Sequence, residues 1–542
     1  MNPPATAPVR PAPTLLGQPL TRRSLLVIAA GFALVVLLAA ATAAGRPVAI
    51  VAAPVAIVFF ALTLAYPFAA LVGTLCAVSL LPNGTYLLGV HVPDWMQLVI
   101  PALLLGALAQ GLARPGSRTF AVNWADVFIA GFIILGYLAI FGQRGPSTFK
   151  FYTNQQVMPA LMYFVVKWLP IDRDKFHLQL RYQLLSVFVL SLIMVATPLF
   201  GFDPFYHGFA KLRIGEMARG PMWSISDTVA YTAIWPVFFL YAMAIKLPAF
   251  PPSWRRMWPV GLALITLATL ATTERTGPVA IAAGFIVLSA HRRLRKYVLL
   301  CVLGAGVLMP LWLLTPSGRH VMARLGSVGE KGTGFERRIY REKTLRYVRS
   351  PYWNPVLGTG FGRIDELSMR TMPQEQWVYD YNWGDFRRLE SFASRPTHCA
   401  PVTLLAEYGF GGTGLLLLTI IAVAVALARL PALAEQRKAR VDSALIVCAL
   451  GAFAGVMVNG LLHNTEGVVE VLISIWVFSG LVIGHPDIFL IPGGRRLRSR
   501  RSRVRVQERS WEGLPAPTDP PDAAPSGLES PPTSSETTRG TF

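Results

Sequence analysis

The sequence contains many apolar runs that are long enough to cross a lipid bilayer. The run 24–44 has no charged residue, and a helix needs about 20 apolar residues to span the hydrocarbon core. Of the 542 residues, 53% are hydrophobic and 15% are charged, whereas about a quarter of a soluble domain is charged. The sequence therefore predicts an all-α fold, a polytopic membrane helix bundle of about 12–14 transmembrane helices.

The apolar runs follow one another along the chain, and three of them (67–81, 156–169 and 278–290) are short, so the expected helix number is a range. The candidate spans are 24–44, 47–66, 67–81, 95–113, 124–142, 156–169, 182–201, 228–247, 257–273, 278–290, 297–315, 401–429, 443–462 and 471–491.

Lys and Arg predict the orientation, because short cytoplasmic loops are enriched in these residues. With the N-terminus inside, the cytoplasmic segments are the basic loops 114–118, 173–181, 246–256, 291–296 and 429–440 and the Arg-rich tail. The opposite loops 82–94 and 463–470 contain neither Lys nor Arg. Both termini are therefore expected in the cytoplasm, and 143–155, 202–227, 274–277 and 316–400 are expected outside.

The same pattern divides the chain into five regions. They are a disordered cytoplasmic N-terminus (1–23), an N-terminal set of spans (24–315), a large, partly helical external loop (316–400), C-terminal spans (401–492) and a basic, then disordered tail (493–542). The net charge of +21 would suggest nucleic acid for a soluble protein. Here basic residues at cytoplasmic helix ends account for the charge. The expected partners therefore include membrane lipids and no nucleic acid.

The external loop carries unusual positive charge, with fourteen Lys/Arg against nine Asp/Glu over 316–400. Its segment 336–350 (ERRIYREKTLRYVRS) predicts an amphipathic helix near the membrane surface. Arg338 and Arg341 on this helix are candidates for binding anions, the alternative being that they snorkel to lipid headgroups. The glycines of 354–362 (NPVLGTGFG) allow a tight backbone whose N–H groups contact a phosphate or a sugar.

His398 stands where the chain re-enters the apolar region, and its imidazole can take a proton from an attacking hydroxyl near neutral pH. The alternative is a histidine that is simply hydrogen-bonded at the interface. Pro401 fits the first helical turn, which leaves His398 in the preceding loop. Glu407, inside the following span, needs either a function or an arginine partner.

Three further arginines are expected on the same side. Arg275 lies in the turn 274–277 (ERTG), where its alternative role is pairing with Glu274. Arg213 and Arg219 lie in the external segment 211–224. The topology thus gathers His398 and these arginines at one membrane face. The sequence has no HExxH, paired CxxC, Walker or GxSxG motif, so the expected chemistry uses no metal and no cofactor.

These motifs resemble the O-antigen ligase/polymerase superfamily of bacterial membrane glycosyltransferases. The turn 274–277 resembles its Ser-Arg-Gly-like turn, and 337–362 resembles its Arg-rich external helix and hydrophobic-Leu-Gly-x-Gly run. The segment 398–412 resembles its His-Asn pair followed by Glu-x-Gly-x-x-Gly, with Cys399 in place of Asn. The family's Arg-x-x-Gly is matched only loosely by Arg219 and Gly220, so Arg213 remains an equal candidate.

The resemblance implies transfer of a glycan from a polyprenyl-pyrophosphate donor to a hydroxyl of an acceptor glycan or lipid, at the outer face of the bacterial cytoplasmic (inner) membrane. Arginines would hold the pyrophosphate and stabilise its charge, with Arg213, Arg219, Arg338 and Arg341 binding it and Arg275 in the catalytic centre. His398 would deprotonate the acceptor, and Glu407 would position His398 or hold an arginine. Direct displacement implies inversion at the anomeric carbon.

Two other function classes remain open. A transporter or flippase of lipid-linked oligosaccharide would also need many helices and cationic residues, but the sequence has no internal repeat and no pair of broken helices. A structural scaffold is the third interpretation. Within the enzyme class, the sequence does not distinguish a ligase from a polymerase, because the two differ only in the acceptor.

Overall fold

The computed structural model describes most of the chain between residues 60 and 492, and the architecture below concerns these residues alone. They are 14–15, 18–19, 60–81, 86–87, 90–91, 94–112, 121–141, 146–200, 204–205, 225–248, 255–272, 274, 276–314, 319, 333–364, 367, 371, 377–380, 385–388, 399–462 and 468–492. The described residues up to Ile491 belong to one compact unit. The residues after Pro492 lie outside the described part of the chain.

Helices dominate the described residues, so the predicted all-α class is confirmed there. The α-helices are α1 (Pro67–Leu80), α2 (Met96–Leu112), α3 (Trp124–Ile140), α4 (Pro146–Tyr152), α5 (Met158–Trp168), α6 (Arg173–Phe200), α7 (Ile225–Thr232), α8 (Trp235–Ala244), α9 (Met257–Ala271), α10 (Thr276–Ser289), α11 (Arg292–Leu313), α12 (Thr333–Val348), α13 (Ala400–Ala428), α14 (Leu430–Gln436), α15 (Ser443–Leu462) and α16 (Val469–Gly484). A π-helix (Thr153–Val157) joins α4 to α5, and a 3-10 helix (Pro486–Phe489) follows α16.

Strands are short and occur as two-stranded pairs in the described part of the chain. They are β1 (Thr14–Leu15) with β2 (Gln18–Pro19), β3 (Tyr86–Leu87) with β4 (Val90–His91), β5 (Trp377–Asp380) with β6 (Asp385–Arg388), and β7 (Ala439–Val441) with β8 (Leu490–Pro492). The β5–β6 pair is antiparallel. The predicted external loop 316–400 therefore contains a helix, α12, and a short hairpin.

From 67–81 onward, each span predicted from the sequence coincides at least in part with α-helix, but the last span, 471–491, ends as the 3-10 helix and β8. The predicted span 24–44 lies outside the described residues. One predicted span, 228–247, is divided into α7 and α8. Pro236 lies in the first turn of α8, and a proline cannot donate the backbone hydrogen bond that a continuous helix needs there. The turn 274–277 is also shorter than predicted, because α10 already begins at Thr276.

Length separates the helices into two groups. Three described segments are long and apolar enough to cross a membrane: Arg173–Thr197, Ala400–Gln436 and Ser443–Leu461. Other apolar helices are shorter; α10, for example, has 14 residues, or about 21 Å at 1.5 Å per residue, against a hydrocarbon core of about 30 Å. The structure is thus compatible with a membrane protein, and only part of the predicted set of spans reaches spanning length.

The segment 143–155, which the charge pattern places outside, is helical from Pro146 onward. The chain is helical from Pro146 and continues through the π-helix Thr153–Val157 into α5. Pro159 lies in the first turn of α5. Its ring has no N–H for the carbonyl four residues earlier and clashes with that carbonyl in an α-helix, so the local widening to a π-helix has a steric cause.

The helix pairs bury one large apolar core, to which α5, α6, α8 and α16 contribute many of the fully buried side chains. In contrast, only 11% of the most apolar part of Ala400–Gln436 is buried within the chain. Leu299, Leu303 and Val307 of α11 are likewise exposed. Apolar surface of this extent is costly in water, and a lipid environment removes that cost.

Helix ends that the charge pattern assigns to the cytoplasm meet in one buried polar network. The Asp442 carboxylate before α15 pairs with Arg173 at the start of α6 and accepts a hydrogen bond from Tyr241 Oη in α8, at 3.1 Å. Arg173 also donates to the carbonyl oxygens of Ile488 (3.1 Å) and Leu490 (2.9 Å). The beginnings of α6 and α15 and the segment after α16 therefore lie together.

Candidate functional site

Helix α13 is interrupted two turns after its start. Its N-cap is Cys399 and Pro401 lies in the first turn, so the prediction that Pro401 occupies that turn is confirmed. Gly409 then leaves the helical conformation with φ 60° and ψ −169°. A positive φ is strained for residues with a Cβ, so this break depends on glycine at position 409. We call residues 406–411 the helix break.

A segment of the external loop satisfies the backbone groups that the break exposes. We call residues 353–362 the glycine loop. The amides of Thr359 and Gly360 donate to the carbonyl oxygens of Ala406 and Glu407, both at 3.0 Å. Interruption of a helix leaves N–H and C=O groups without intrahelical partners. Here backbone groups of the glycine loop serve as the missing partners.

The exchange of hydrogen bonds also runs in the opposite direction. Phe410 N–H donates to Pro355 O at 2.7 Å, and Gly411 N–H donates to Val356 O at 3.1 Å. Trp353 Nε1 adds a further hydrogen bond to the carbonyl oxygen of Ala406, at 3.0 Å. The two segments are therefore locked together by donors from both sides.

The backbones approach so closely that two positions require glycine. Gly358 has φ 70°, and a Cβ there would lie 2.3 Å from Glu407 O. A Cβ on Gly409 would lie 2.6 Å from Val356 O. Both distances are far below van der Waals contact with backbone atoms, which cannot move away as a flexible side chain would. The Gly-x-Gly run and the Glu-x-Gly run thus fit each other sterically.

The carboxylate of Glu407 points into the junction, by which we mean the contact between the glycine loop and the helix break. Its side chain is 3% exposed, and Oε1 accepts a hydrogen bond from Gly362 N–H at 2.8 Å. The sequence predicted that Glu407 positions His398, which lies outside the described residues, or holds an arginine, and both roles stay predictions. One partner that the structure gives for the carboxylate is an amide of the glycine loop.

The predicted phosphate or sugar contact of 354–362 is wrong for four of its amides. Gly358, Thr359 and Gly360 donate to backbone carbonyls, and Gly362 donates to Glu407. A backbone N–H carries one proton to donate. The glycine loop is consequently a structural partner of the helix break through these groups rather than an anion nest.

Aromatic rings anchor the glycine loop from the other side. The Phe361 ring lies 5.9 Å from that of Tyr152 and 6.1 Å from that of Tyr408. Tyr152 belongs to α4, and Tyr408 immediately follows Glu407. Phe361 of the glycine loop is therefore held between α4 and α13.

The Arg-rich helix predicted at 336–350 is α12, and it packs beside the same junction. Tyr347 of α12 lies in an apolar cluster with Ile364, Leu367 and Ala406. Arg338 is exposed and Arg341 is half-buried. The predicted amphipathic pattern is present, but the buried face also contains Lys343, whose Nζ lies 5.7 Å from the centre of the Tyr340 ring.

The predicted site residues divide into two groups. Glu407, Arg338 and Arg341 are described, and the structure brings their elements together around the helix break. His398, Arg275, Arg213 and Arg219 lie outside the described residues, so their convergence stays a prediction. His398 stands two residues before Ala400, where α13 begins.

Two groups in this region were missed by sequence reasoning. The first is Lys343, which is fully buried. Its sequence signal is its spacing of three residues from Tyr340 and four from Tyr347, which places it on the apolar face of α12. The second is Trp353, whose indole hydrogen bond joins distant segments and has no local sequence signal. Within the described residues, no three His, Cys, Asp or Glu side chains converge to hold a metal ion.

Comparison of the chain with models of known protein families found no match, and comparison with curated proteins found none either.

Proposed function

We propose that this protein is a membrane glycosyltransferase of the O-antigen ligase or polymerase type. It transfers a glycan from a polyprenyl-pyrophosphate donor to a hydroxyl of an acceptor glycan or lipid, with inversion and without a metal. The donor is lipid-linked because no nucleotide sugars are present at the outer face of a cytoplasmic membrane.

One observation carries the proposal. The glycine loop and the helix break are two of the three motifs that suggested the family from sequence, and they interlock through backbone hydrogen bonds and the Gly362–Glu407 contact. Gly362 and Glu407 are 45 positions apart in the chain, and the fold brings the two motifs into direct contact. This unit fixes the start of α13, and hence the position of the chain directly after His398.

The Arg-rich helix α12 supplies the second line of support. Its apolar cluster with Ala406 places the helix against the same unit, and Arg338 presents an exposed guanidinium. Guanidinium groups bind phosphate oxygens in a bidentate manner. In the proposed reaction, Arg275 and the arginines of α12 and of 211–224 neutralise the pyrophosphate as the sugar–phosphate bond breaks, while His398 accepts the proton of the acceptor hydroxyl.

The break in α13 favours a second candidate, a transporter or flippase of lipid-linked oligosaccharide. Discontinuous helices form the binding sites of many transporters. However, the amides and carbonyls around the break of α13 are occupied by the glycine loop, whereas the broken helices of transporters turn such groups toward the substrate or ion. The enzyme is therefore the better-supported proposal.

The test is glycan transfer by the purified full-length chain in liposomes, with undecaprenyl-pyrophosphate-linked oligosaccharide as donor and no ion gradient. We expect transfer by the wild type and a loss of at least about 100-fold in His398→Ala and Arg275→Ala, the scale of removing a general base or an electrostatic group. Arg338→Ala is expected to lose less, because it is one of several cations.

Matched controls are His291→Ala and Arg349→Ala. His291 forms a 3.0 Å hydrogen bond with Ser443, the residue after Asp442. Arg349 is an exposed arginine just after α12. Both controls are expected to keep wild-type transfer. Full activity of His398→Ala together with Arg275→Ala would exclude the proposed reaction, and lipid translocation without transfer would favour the flippase.

A further inference from the structure

Helices α10 and α15 pack against each other along a seam of small residues. A Cβ on Gly284 would lie 3.1 Å from Gly451 O, and a Cβ on Gly455 would lie 3.1 Å from Ala280 O. The helices are antiparallel, because a step of four residues back along α10 corresponds to a step of four forward along α15. Small residues allow such close approach of helix backbones.

One further step of four residues in each helix leads to Thr276 and Asn459. Thr276 is the first residue of α10, and Asn459 lies in the last turn of α15. These two polar side chains therefore occupy the same level, at the end of the seam where α10 begins and α15 ends. We call this level the polar end of the seam.

Both side chains are buried, and neither has a hydrogen-bond partner in the part of the chain that the structure describes. Asn459 is 0% exposed and Thr276 is 2% exposed. Among the described residues, no group hydrogen-bonds Asn459 Nδ2, Asn459 Oδ1 or Thr276 Oγ1. A buried polar atom without a partner is destabilising, because it has lost its bonds to water.

Two polar pairs nearby are satisfied. Thr269 Oγ1 lies 3.1 Å from Thr232 Oγ1, and Ser79 Oγ lies 2.6 Å from Tyr231 Oη. The polar end of the seam differs from these two pairs, and a buried polar group left unpaired in a native fold calls for an explanation such as strain, a catalytic role, or a bound water or ion.

We propose that the polar end of the seam is a sugar-binding site: the ends of α10 and α15 separate, and Asn459 and Thr276 then hydrogen-bond hydroxyl groups of the glycan on the lipid-linked donor. The inference rests on the proposed function and adds a location for the donor's sugar. Because both side chains are buried in the structure, a ligand reaches them only when the helix ends part; hydrogen bonds to the unsatisfied polar atoms then offset part of the cost of separating the helix ends.

The chemistry of the two side chains points to a sugar. An amide offers donors and an acceptor, and a hydroxyl offers both, without charge; adjacent hydroxyl groups of a sugar are complementary to this set. Arg275, which the proposed function assigns to the catalytic centre at the pyrophosphate, directly precedes Thr276 in the sequence.

The test compares binding of two probes by the full-length protein in detergent micelles: undecaprenyl-pyrophosphate-linked disaccharide and undecaprenyl pyrophosphate alone. Asn459→Leu removes the amide at similar volume, and Thr276→Val removes the hydroxyl. Each is expected to weaken binding of the disaccharide probe by about tenfold, the effect of roughly one lost hydrogen bond, and to leave binding of the bare lipid unchanged. Both variants should also unfold at a higher temperature, because an unsatisfied polar group has been removed.

Two further variants make the result specific. Thr276→Ser keeps the hydroxyl that Thr276→Val removes, and it should bind both probes as the wild type does. Ser79→Ala removes a satisfied hydrogen bond, so it should lower the unfolding temperature without changing the preference for the disaccharide probe. Wild-type binding of both probes by Asn459→Leu, or equal weakening of both, would overturn the sugar site while leaving the proposed function intact. Failure of the wild-type protein to bind either probe would overturn the proposed function and the inference with it.

Discussion

Gly362 N–H donates a hydrogen bond of 2.8 Å to Glu407 Oε1, and this contact joins the end of the glycine loop to a buried carboxylate within the helix break. Glu407 therefore has two separable properties, an acceptor oxygen and a negative charge. The first is used in the structure, and the second is required by the proposed roles of positioning His398 or holding an arginine.

Substitutions at Glu407 can separate these properties. Glu407→Ala should lower the free energy of unfolding by about 1–3 kcal/mol, because it removes the acceptor of the Gly362 amide. Glu407→Gln keeps an acceptor oxygen and should retain most of the stability, while glycan transfer falls with the loss of charge. Denaturant unfolding in micelles and the transfer assay measure the two effects.

The control is Glu342→Ala. Glu342 is half exposed and pairs with Arg346 one helical turn away, an interaction worth about 0.3–0.5 kcal/mol. Wild-type transfer by Glu407→Gln would show that the charge is not needed, and would leave Glu407 with a structural role alone.

Gly409→Ala should destabilise the chain by more than about 2 kcal/mol, because it combines the cost of a positive φ with a steric clash. The added Cβ would lie 2.6 Å from Val356 O. Gly414→Ala is the matched control in the same helix, since a Cβ there has no atom within 4 Å. It should be neutral or slightly stabilising. Equal stability of the two variants, measured by denaturant unfolding, would mean that the break in α13 is not held by glycine.

Asp442→Ala should lower the free energy of unfolding by about 3–5 kcal/mol, the usual cost of removing one partner of a buried ion pair. Asp442 binds Arg173 and Tyr241, and it is 3% exposed. Asp487→Ala provides the contrast, because the Asp487–Arg437 pair is about half exposed. That pair should contribute about 0–1 kcal/mol. Strong destabilisation by both Asp442→Ala and Asp487→Ala would contradict the inference that the Asp442 pair is more stabilising because it is buried.

His291 predicts a dependence of stability on pH. Partial burial and the positive charge of Arg293 hold the pKa of His291 below its usual value, although Asp442 opposes this. Because the folded pKa is lower than the unfolded one, the fold favours the neutral imidazole. The contribution of His291 to the free energy of unfolding is present above the unfolded pKa of about 6.5 and is lost as the pH falls through the lower folded pKa.

The unfolding temperature of the wild type should therefore fall between pH 7.5 and pH 5 by more than that of His291→Gln, which cannot be protonated. A parallel decline in both proteins would show that other groups control the acid sensitivity. The hydrogen bond with Ser443 can be formed by glutamine as well, so the comparison isolates the charge.

The sequence by itself determined the helical elements. Apolar periods and prolines act within a few residues, so the spans from 67–81 onward and the start of α13 near Pro401 were predictable. The Arg-rich stretch 336–350 similarly predicted α12, because a segment without Gly or Pro and with spaced apolar residues favours a helix.

Only the tertiary structure decided which elements meet. The glycine pattern of 354–362 is equally suited to an anion nest and to a close backbone contact, and the contact was selected by the break at Gly409, which lies in a different part of the chain. Asp442 and Arg173 are separated by 269 positions, and Thr276 and Asn459 align only because α10 and α15 pack through glycines. Hydrogen bonds and close packing between distant segments depend on atomic distances that local periodicity does not encode, and those distances decide which predicted motif can bind a ligand.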